Sequence, residues 1–319
     1  MEKLQYDIQK RKRASTLLAL ASTEIDAAET LLEKELYREA VVHLYFASFY
    51  ISNSLLCNRV PSNPSHKVIE RGIHQVYGRV SDFPRRYIQL HKRLHQLRNE
   101  INYRSAHIPE PSKIKKDFKI LNAYYKFARK VIPEVGYDEI LRGIIEDNPK
   151  KVSDFSIDIY CPKTYAHHTR FTIWFPPFYL NIFNTRKLAA YSKDLLRRLK
   201  VKRSNEYVAG LNSKLDQYGD RHLLMFDIDS IDAEVEATLK EIGGILLKSG
   251  RGFHFIGRHV IENGKNWVKA LRAILRNPVL KHRVDKKHIQ ISLERGYSTL
   301  RITTSKTKPY PPQFFKEFS

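Results

Sequence analysis

The spacing of apolar residues changes once along this chain, near Pro133, and no single regular architecture accommodates both patterns. From Ser15 to about Lys130 they recur at helical spacing. The segment LLEKELYREAVVHLYFASFYISNSLL (31–56) is apolar almost all round from Ala40 onward, the pattern of a helix at the centre of a bundle. Asn58 and the run PSNPS (61–65) end it. Helices follow at about Ser65–Tyr77, at 85–104 and, after IPEPS (108–112), at 113–132. Short polar loops between long helices favour antiparallel neighbours, so residues 1–135 are expected to form a four- or five-helix bundle. His91 and His95 lie one turn apart, on what reads as a solvated helix face.

Beyond Pro133 the pattern shortens. YDEILRGIIED (137–147) reads as a connecting helix and NPKK (148–151) as a linker end, so 136–154 is expected to connect two domains. FSIDIY (155–160), RFTIWF (170–175), EYVAGLN (206–212), HLLMFDID (222–229), GGILLKS (243–249), GFHFIG (252–257), HIQISL (288–293) and STLRIT (298–303) read as strands. RKLAAYSKDLLRRLK (186–200), DAEVEATLKEI (232–242) and NWVKALRAIL (266–275) read as helices. Strands alternating with single helices make 155–319 an α/β or α+β domain. The fold class expected for the chain is α plus α/β.

Charge narrows the partners. Lys and Arg number 56 against 34 Asp and Glu, a formal net charge of +22. So large an excess opposes compaction by self-repulsion and points to a polyanion, with nucleic acid first and an anionic membrane surface second. No apolar run has spanning length, and the start MEKLQYDIQKRKRAS is charged rather than signal-like, so no membrane partner is expected. Two cysteines far apart, Cys57 and Cys161, exclude a disulfide framework and an all-cysteine zinc site within one chain. A reducing, cytoplasmic setting is expected.

Three clusters in the back half carry chemistry. LMFDIDSID (224–232) ends an apolar strand on Asp227 and Asp229, whose side chains leave the same face. Two carboxylates that close raise each other's pKa unless a cation lies between them. KSGRGFHFIG (248–257) puts Arg251 among glycines whose exposed backbone N–H groups suit an anion such as a triphosphate, or serves simply as a hairpin turn. Its His254 faces away from Phe253 and Phe255. VDKKHIQISLERGYSTLRITTSKTK (284–308) adds Asp285, then Arg295, Arg301, Lys306 and Lys308.

The first 130 residues resemble the HEPN superfamily of small helical bundles through LYREAVVHLYFASFYISNSLL, SHKVIERGIHQVY and LHQLRNEINY, in the family's order. Active HEPN ribonucleases carry an Arg followed four to six residues later by His. Arg98 and Asn99 match the start of that motif, and Tyr103 stands where the His would be. A phenol with an ordinary pKa of about 10 is a poor proton shuttle at neutral pH, so this motif is expected to be non-catalytic. The resemblance implies binding of nucleotides or partners instead, with a homodimer formed through the bundle; Arg98 and Tyr103 could equally bridge two helices.

Residues 155–319 resemble the archaeo-eukaryotic primase superfamily, which includes the primase-polymerases. The resemblance rests on hydrophobic-Asp-x-Asp at Asp227 and Asp229, Ser-Gly-Arg-Gly-x-His over 249–254, and Asp285. Arg301 followed by Thr303, Ser305, Lys306 and Thr307 completes it. It implies an RRM-derived catalytic domain with Asp227, Asp229 and Asp285 as catalytic, metal-holding residues for Mg²⁺ or Mn²⁺. Ser249, Arg251, His254, Arg301 and Lys306 would bind nucleotide. The implied activity is template-dependent nucleotidyl transfer from an NTP or dNTP to a 3′-hydroxyl, with a DNA or RNA template as partner. The cysteine cluster of replicative primases is missing. Two other readings stay open: a non-catalytic nucleic-acid or nucleotide sensor, and a HEPN-type ribonuclease, either in a defence or toxin–antitoxin system.

Overall fold

In the computed structural model, residues 7–318 are described except for 79, 81–82, 104–109, 134, 163–169, 184, 202–205 and 306–309. The chain divides into two units, Met1–Val135 and Gly136–Ser319.

Five helices build the first unit: α1 (Ile8–Glu33), α2 (Tyr37–Leu55), α3 (His66–Tyr77), α4 (Arg85–Tyr103) and α5 (Pro111–Val131). Asp7 caps α1 by accepting from Lys10 N at 2.8 Å, and Ser65 caps α3. Helix α2 packs against all four others and buries Val41, Leu44, Tyr45 and Ile51 completely, as its all-round apolar surface requires. The stretch 31–56 is nevertheless not one helix. Glu35 takes φ +59°, and Leu36 N bonds back to Leu31 O, closing α1 before α2 begins.

The histidine face also differs from expectation. His91 is buried, with its Nδ1 2.9 Å from Ser48 Oγ, and His95 Nδ1 lies 3.1 Å from Glu70. Burial pushes the His91 pKa down to about 3, helped by the neighbouring His95 and His66. Between that value and about 6.5 the unfolded chain binds a proton that the folded unit does not. Acidification from pH 6.5 is therefore expected to destabilise this unit by up to about 1.4 kcal/mol per pH unit through His91 alone. Hydrogen exchange of α2 and α4 amides against pH reads this, and His91→Gln should flatten the slope.

In the second unit, α6 (Tyr137–Asp147) comes first. Strands β1 (Phe155–Tyr160), β2 (Phe171–Phe175), β3 (Val208–Asn212) and β7 (Thr299–Arg301) form one antiparallel sheet, ordered β2-β1-β3-β7. A second antiparallel sheet, β4-β6-β5-β8, joins β4 (His222–Ile228), β5 (Gly244–Ser249), β6 (Gly252–Ile261) and β8 (Gln313–Phe318). Helices α7 (Thr185–Arg198), α8 (Ala233–Ile242), α9 (Gly264–Arg276) and α10 (Lys286–Arg295) complete it. Antiparallel pairing throughout decides between the two expected arrangements in favour of α+β.

Helix α6 is tied into this unit rather than strung between two. Asn148, its C-cap, donates to Arg258 O and accepts from Val260 N at 3.1 Å, both on β6. Trp267 on α9 is buried and donates its indole N–H to Leu223 O at 3.1 Å, fixing that helix on β4.

HIQISL (288–293) lies in α10, not in a strand. Asp285 accepts from His288 N at 3.0 Å as N-cap, and Gly296 takes φ +84° at the other end. These two stops enclose ten residues whose buried members, Ile289 and Ser292, are three apart. Strand β8 was not anticipated, and β6 runs four residues past GFHFIG. Among the described residues no helix is long and apolar enough to cross a membrane.

Candidate active site

Register in the second sheet brings the first two clusters together. Asp227 on β4 is the direct cross-strand partner of His254 on β6, which in turn faces Leu247 on β5. Period two then places Asp227, His254 and Ser249 on one face. His254 Nε2 lies 3.4 Å from Asp227 Oδ1, with the imidazole nearly buried and the carboxylate about a third exposed. Asp229 is exposed just past the strand end.

Gly250 and Arg251 form the two-residue turn between β5 and β6. Gly250 takes φ +65°, and Arg251 lies exposed at the tip. That pattern fits a type II′ hairpin, in which the first central position needs glycine. Gly252 serves a different purpose. A Cβ there would sit 2.7 Å from Ile228 O and 3.7 Å from the Cα of Asp229. Gly252→Ala is accordingly expected to cost about 1–3 kcal/mol by overpacking and to displace the Asp229 strand end. Urea midpoints and the amide NMR shifts of Ile228 and Asp229 measure both effects.

The third cluster arrives beside the first. Asp285 N donates to Asp227 O at 3.1 Å, Asp229 N donates to Arg283 O at 2.7 Å, and Ile228 pairs with Val284 as an antiparallel bridge. The backbone at 283–285 thus runs alongside the end of β4. The Asp285 carboxylate caps α10, and among the described residues no group of three or more His, Cys, Asp or Glu is arranged to hold a metal ion.

Arg301 joins the two sheets. Its position on β7 pairs with Gly210 of β3, yet Nη2 donates to Ser249 Oγ at 3.0 Å across to β5. Nη1 donates to Thr303 O and, at 3.4 Å, to Tyr310 O. Burial disfavours its charge and lowers its pKa, while Tyr137, Tyr160 and Asp227 act the other way. The Tyr160 phenol is pushed up to about 12, mainly by burial, with Arg170, Asp227, Arg301 and Asp158 all within electrostatic reach. The Tyr137 phenol is raised also, by burial first, and its hydroxyl has no hydrogen-bond partner among the described residues. Asp227, Tyr137 and Tyr160 therefore all lie within electrostatic reach of Arg301.

Of the expected site residues, Asp227, His254, Ser249 and Arg301 converge, with Asp229 and Asp285 adjacent and Arg251 at the hairpin tip. Lys306 lies outside the described residues. In the first unit, Arg98 Nη1 donates to Asn99 Oδ1 at 3.2 Å and its guanidinium lies over the Tyr45 and Phe46 rings at 5.7 and 5.8 Å. Tyr103, at 79 % exposure, stands out in solvent. Tyr137 and Tyr160 were not singled out from sequence. The alternation in FSIDIY, which sets Asp158 and Tyr160 opposite Phe155, Ile157 and Ile159, was the available signal.

An antiparallel sheet that gathers acidic, histidine and arginine side chains beside a glycine hairpin is suited to handling phosphates. Residues 188–312 match the family model described as AEP-like: Archaeo-eukaryotic primase 1D-like, a stretch that includes every site residue named in this unit from Asp227 to Lys306. That part of the chain is primase-like, which suggests a nucleotidyltransferase-like function. Strands β1 and β2 lie outside the match. No curated protein matches the chain.

Proposed function

We propose that the second unit is a template-dependent nucleotidyltransferase that joins an NTP or dNTP to a 3′-hydroxyl. The observation that carries this is the register placing Asp227, His254 and Ser249 on one sheet face. Arg301 reaches them from the other sheet, and Asp285 is paired in backbone to Asp227. In the reaction the hydroxyl oxygen bonds the α-phosphorus as its proton passes to solvent, the bond from that phosphorus to the bridging oxygen breaks, and pyrophosphate leaves.

The donor set fits a hard divalent cation such as Mg²⁺ or Mn²⁺. Such ions commonly take one or two carboxylates and complete their shell with water and substrate phosphate, so no cage of three protein ligands is needed. Asp227 and Asp229 would hold it, with Asp285 the adjacent third carboxylate. When bound, the cation supplies charge neutralisation and a lowered hydroxyl pKa. The chain's own residues do the positioning. Arg251, exposed on its turn, and Ser249 and His254 on the strands that flank it would hold the triphosphate. Arg301 would keep Ser249 in place and add positive charge behind it. The basic surface would track a DNA or RNA backbone without reading sequence.

Primer extension tests this with each nucleotide type and with Mg²⁺ or Mn²⁺. Incorporation that stops on EDTA addition is expected, and no incorporation under any combination overturns the reading. The capping role of the Asp285 carboxylate favours a second reading, a nucleic-acid or nucleotide sensor without catalysis. Tight filter binding in EDTA with no metal-dependent synthesis would select it.

A further inference from the structure

The first sheet of the second unit has an apolar face and a polar one. Register puts Asp158 on β1 opposite Thr172 of β2 and Gly210 of β3, and Asn212 opposite Thr299 of β7. Asp158 is fully buried and accepts from Arg170 Nη1 at 2.7 Å, Thr172 Oγ1 at 2.7 Å, Asn212 Nδ2 at 2.9 Å and Tyr297 OH at 3.1 Å. One carboxylate thus receives enough donors to satisfy its lone pairs.

A second guanidinium enters the same cluster, sharing with Arg170 the one carboxylate of Asp158, which lies within its electrostatic reach. Arg295 Nη1 donates to Thr299 Oγ1 at 3.1 Å, and its Nε is buried with no partner among the described residues. Being in the last turn of α10, it gains from the helix dipole, yet its side chain reaches over to β7 instead of solvent. Burial and the neighbouring Arg170 disfavour its charge more than Asp158 restores it, so two half-buried cations on one carboxylate favour a further anion. Each guanidinium also lies over a tyrosine ring, Arg170 over Tyr160 at 4.4 Å and Arg295 over Tyr297 at 5.3 Å. All four of these rim residues are partly exposed above a buried floor of Asp158, Asn212 and Thr299.

We propose that this rim is a second anionic subsite, which binds a backbone phosphate of single-stranded nucleic acid through Arg295 and Arg170. This rests on the nucleotidyltransferase reading for its place beside the triphosphate slot, since Gly210 of β3 pairs with Asp158 on one side and with Arg301 on the other. Charge selects the ligand. Two guanidinia and one carboxylate leave one net positive charge, which matches a phosphodiester and falls short of a triphosphate. Arginine with an aromatic ring is also the pairing that holds unstacked strands without sequence preference.

The test is fluorescence anisotropy of a labelled single-stranded oligonucleotide, in EDTA, across a salt series. Arg295→Gln should weaken binding several-fold and lower the slope of log K against log salt by about 0.7, one phosphate's share. Arg295→Lys should keep the slope, and binding of a fluorescent nucleoside triphosphate should be unchanged in both. In the wild-type chain the Arg295 Nε–Hε NMR signal should move with oligonucleotide and stay with triphosphate, a reading that needs no variant to fold. An unmoved signal, or an Arg295→Gln chain with the wild-type slope, overturns the subsite. Loss of primer extension with a retained Arg295 effect sinks the enzyme reading alone. Normal extension with no Arg295 effect sinks only the subsite.

Discussion

Asp227→Asn combined with Asp229→Asn is expected to lower metal-dependent nucleotide incorporation by at least about 10³-fold, leaving the second unit folded. Removing a single preorganised charge-stabilising group already costs about 10²–10³ in rate, and here both carboxylates of the proposed cation site go at once. The fold should tolerate the change. Asp229 is exposed, Asp227 is about a third exposed, and the strand pairing around them is carried by backbone groups. Substitutions of exposed side chains that keep their shape usually stay within about 0.5 kcal/mol. Primer extension gives the rate, circular dichroism the fold, and oligonucleotide binding in EDTA should persist. Unchanged incorporation by a folded double variant would remove Asp227 and Asp229 from the chemistry.

Much of this architecture could be read from local signals because those signals agreed with one another. Ser65 before α3, the proline at the start of α5 and the short apolar runs after residue 155 each combine period and punctuation. The misses came where punctuation and period conflicted. In 31–56 the helix formers run unbroken and the stop is made by Glu35, a residue with no intrinsic preference for positive φ. In HIQISL the alternation is genuine, but Asp285 and Gly296 mark helix ends and prevail. The two readings of Asp285 follow. A residue chosen from sequence as a metal ligand also starts a helix, and spacing along the chain does not separate those roles. Arg301 shows the opposite limit. The resemblance names it only as a nucleotide-binding residue, whereas the fold buries it as the strut between two sheets.

Asp158 is where stability and the proposed strand subsite meet, and Asp158→Ala is expected to cost the second unit about 3–5 kcal/mol. The group is fully buried, so its removal leaves the Arg170 guanidinium and the Asn212, Thr172 and Tyr297 donors facing a void. Breaking one side of a buried ion pair usually costs that much, because the surviving charge stays desolvated without compensation. Asp158→Asn keeps one acceptor oxygen and the side chain's volume and should cost less. Both tryptophans of the chain, Trp174 and Trp267, lie in this unit, so intrinsic fluorescence in a urea titration reports it without interference from the helical bundle. A shift of under about 1 kcal/mol for Asp158→Ala would mean that water reaches and satisfies Arg170. The rigid floor assumed beneath the rim arginines would then be lost. A shift of the expected size, with Arg295→Gln leaving the midpoint near wild type, separates the two arginines. Arg170 then carries stability through Asp158 as well as facing the ligand, whereas Arg295 serves the ligand without being needed for the fold.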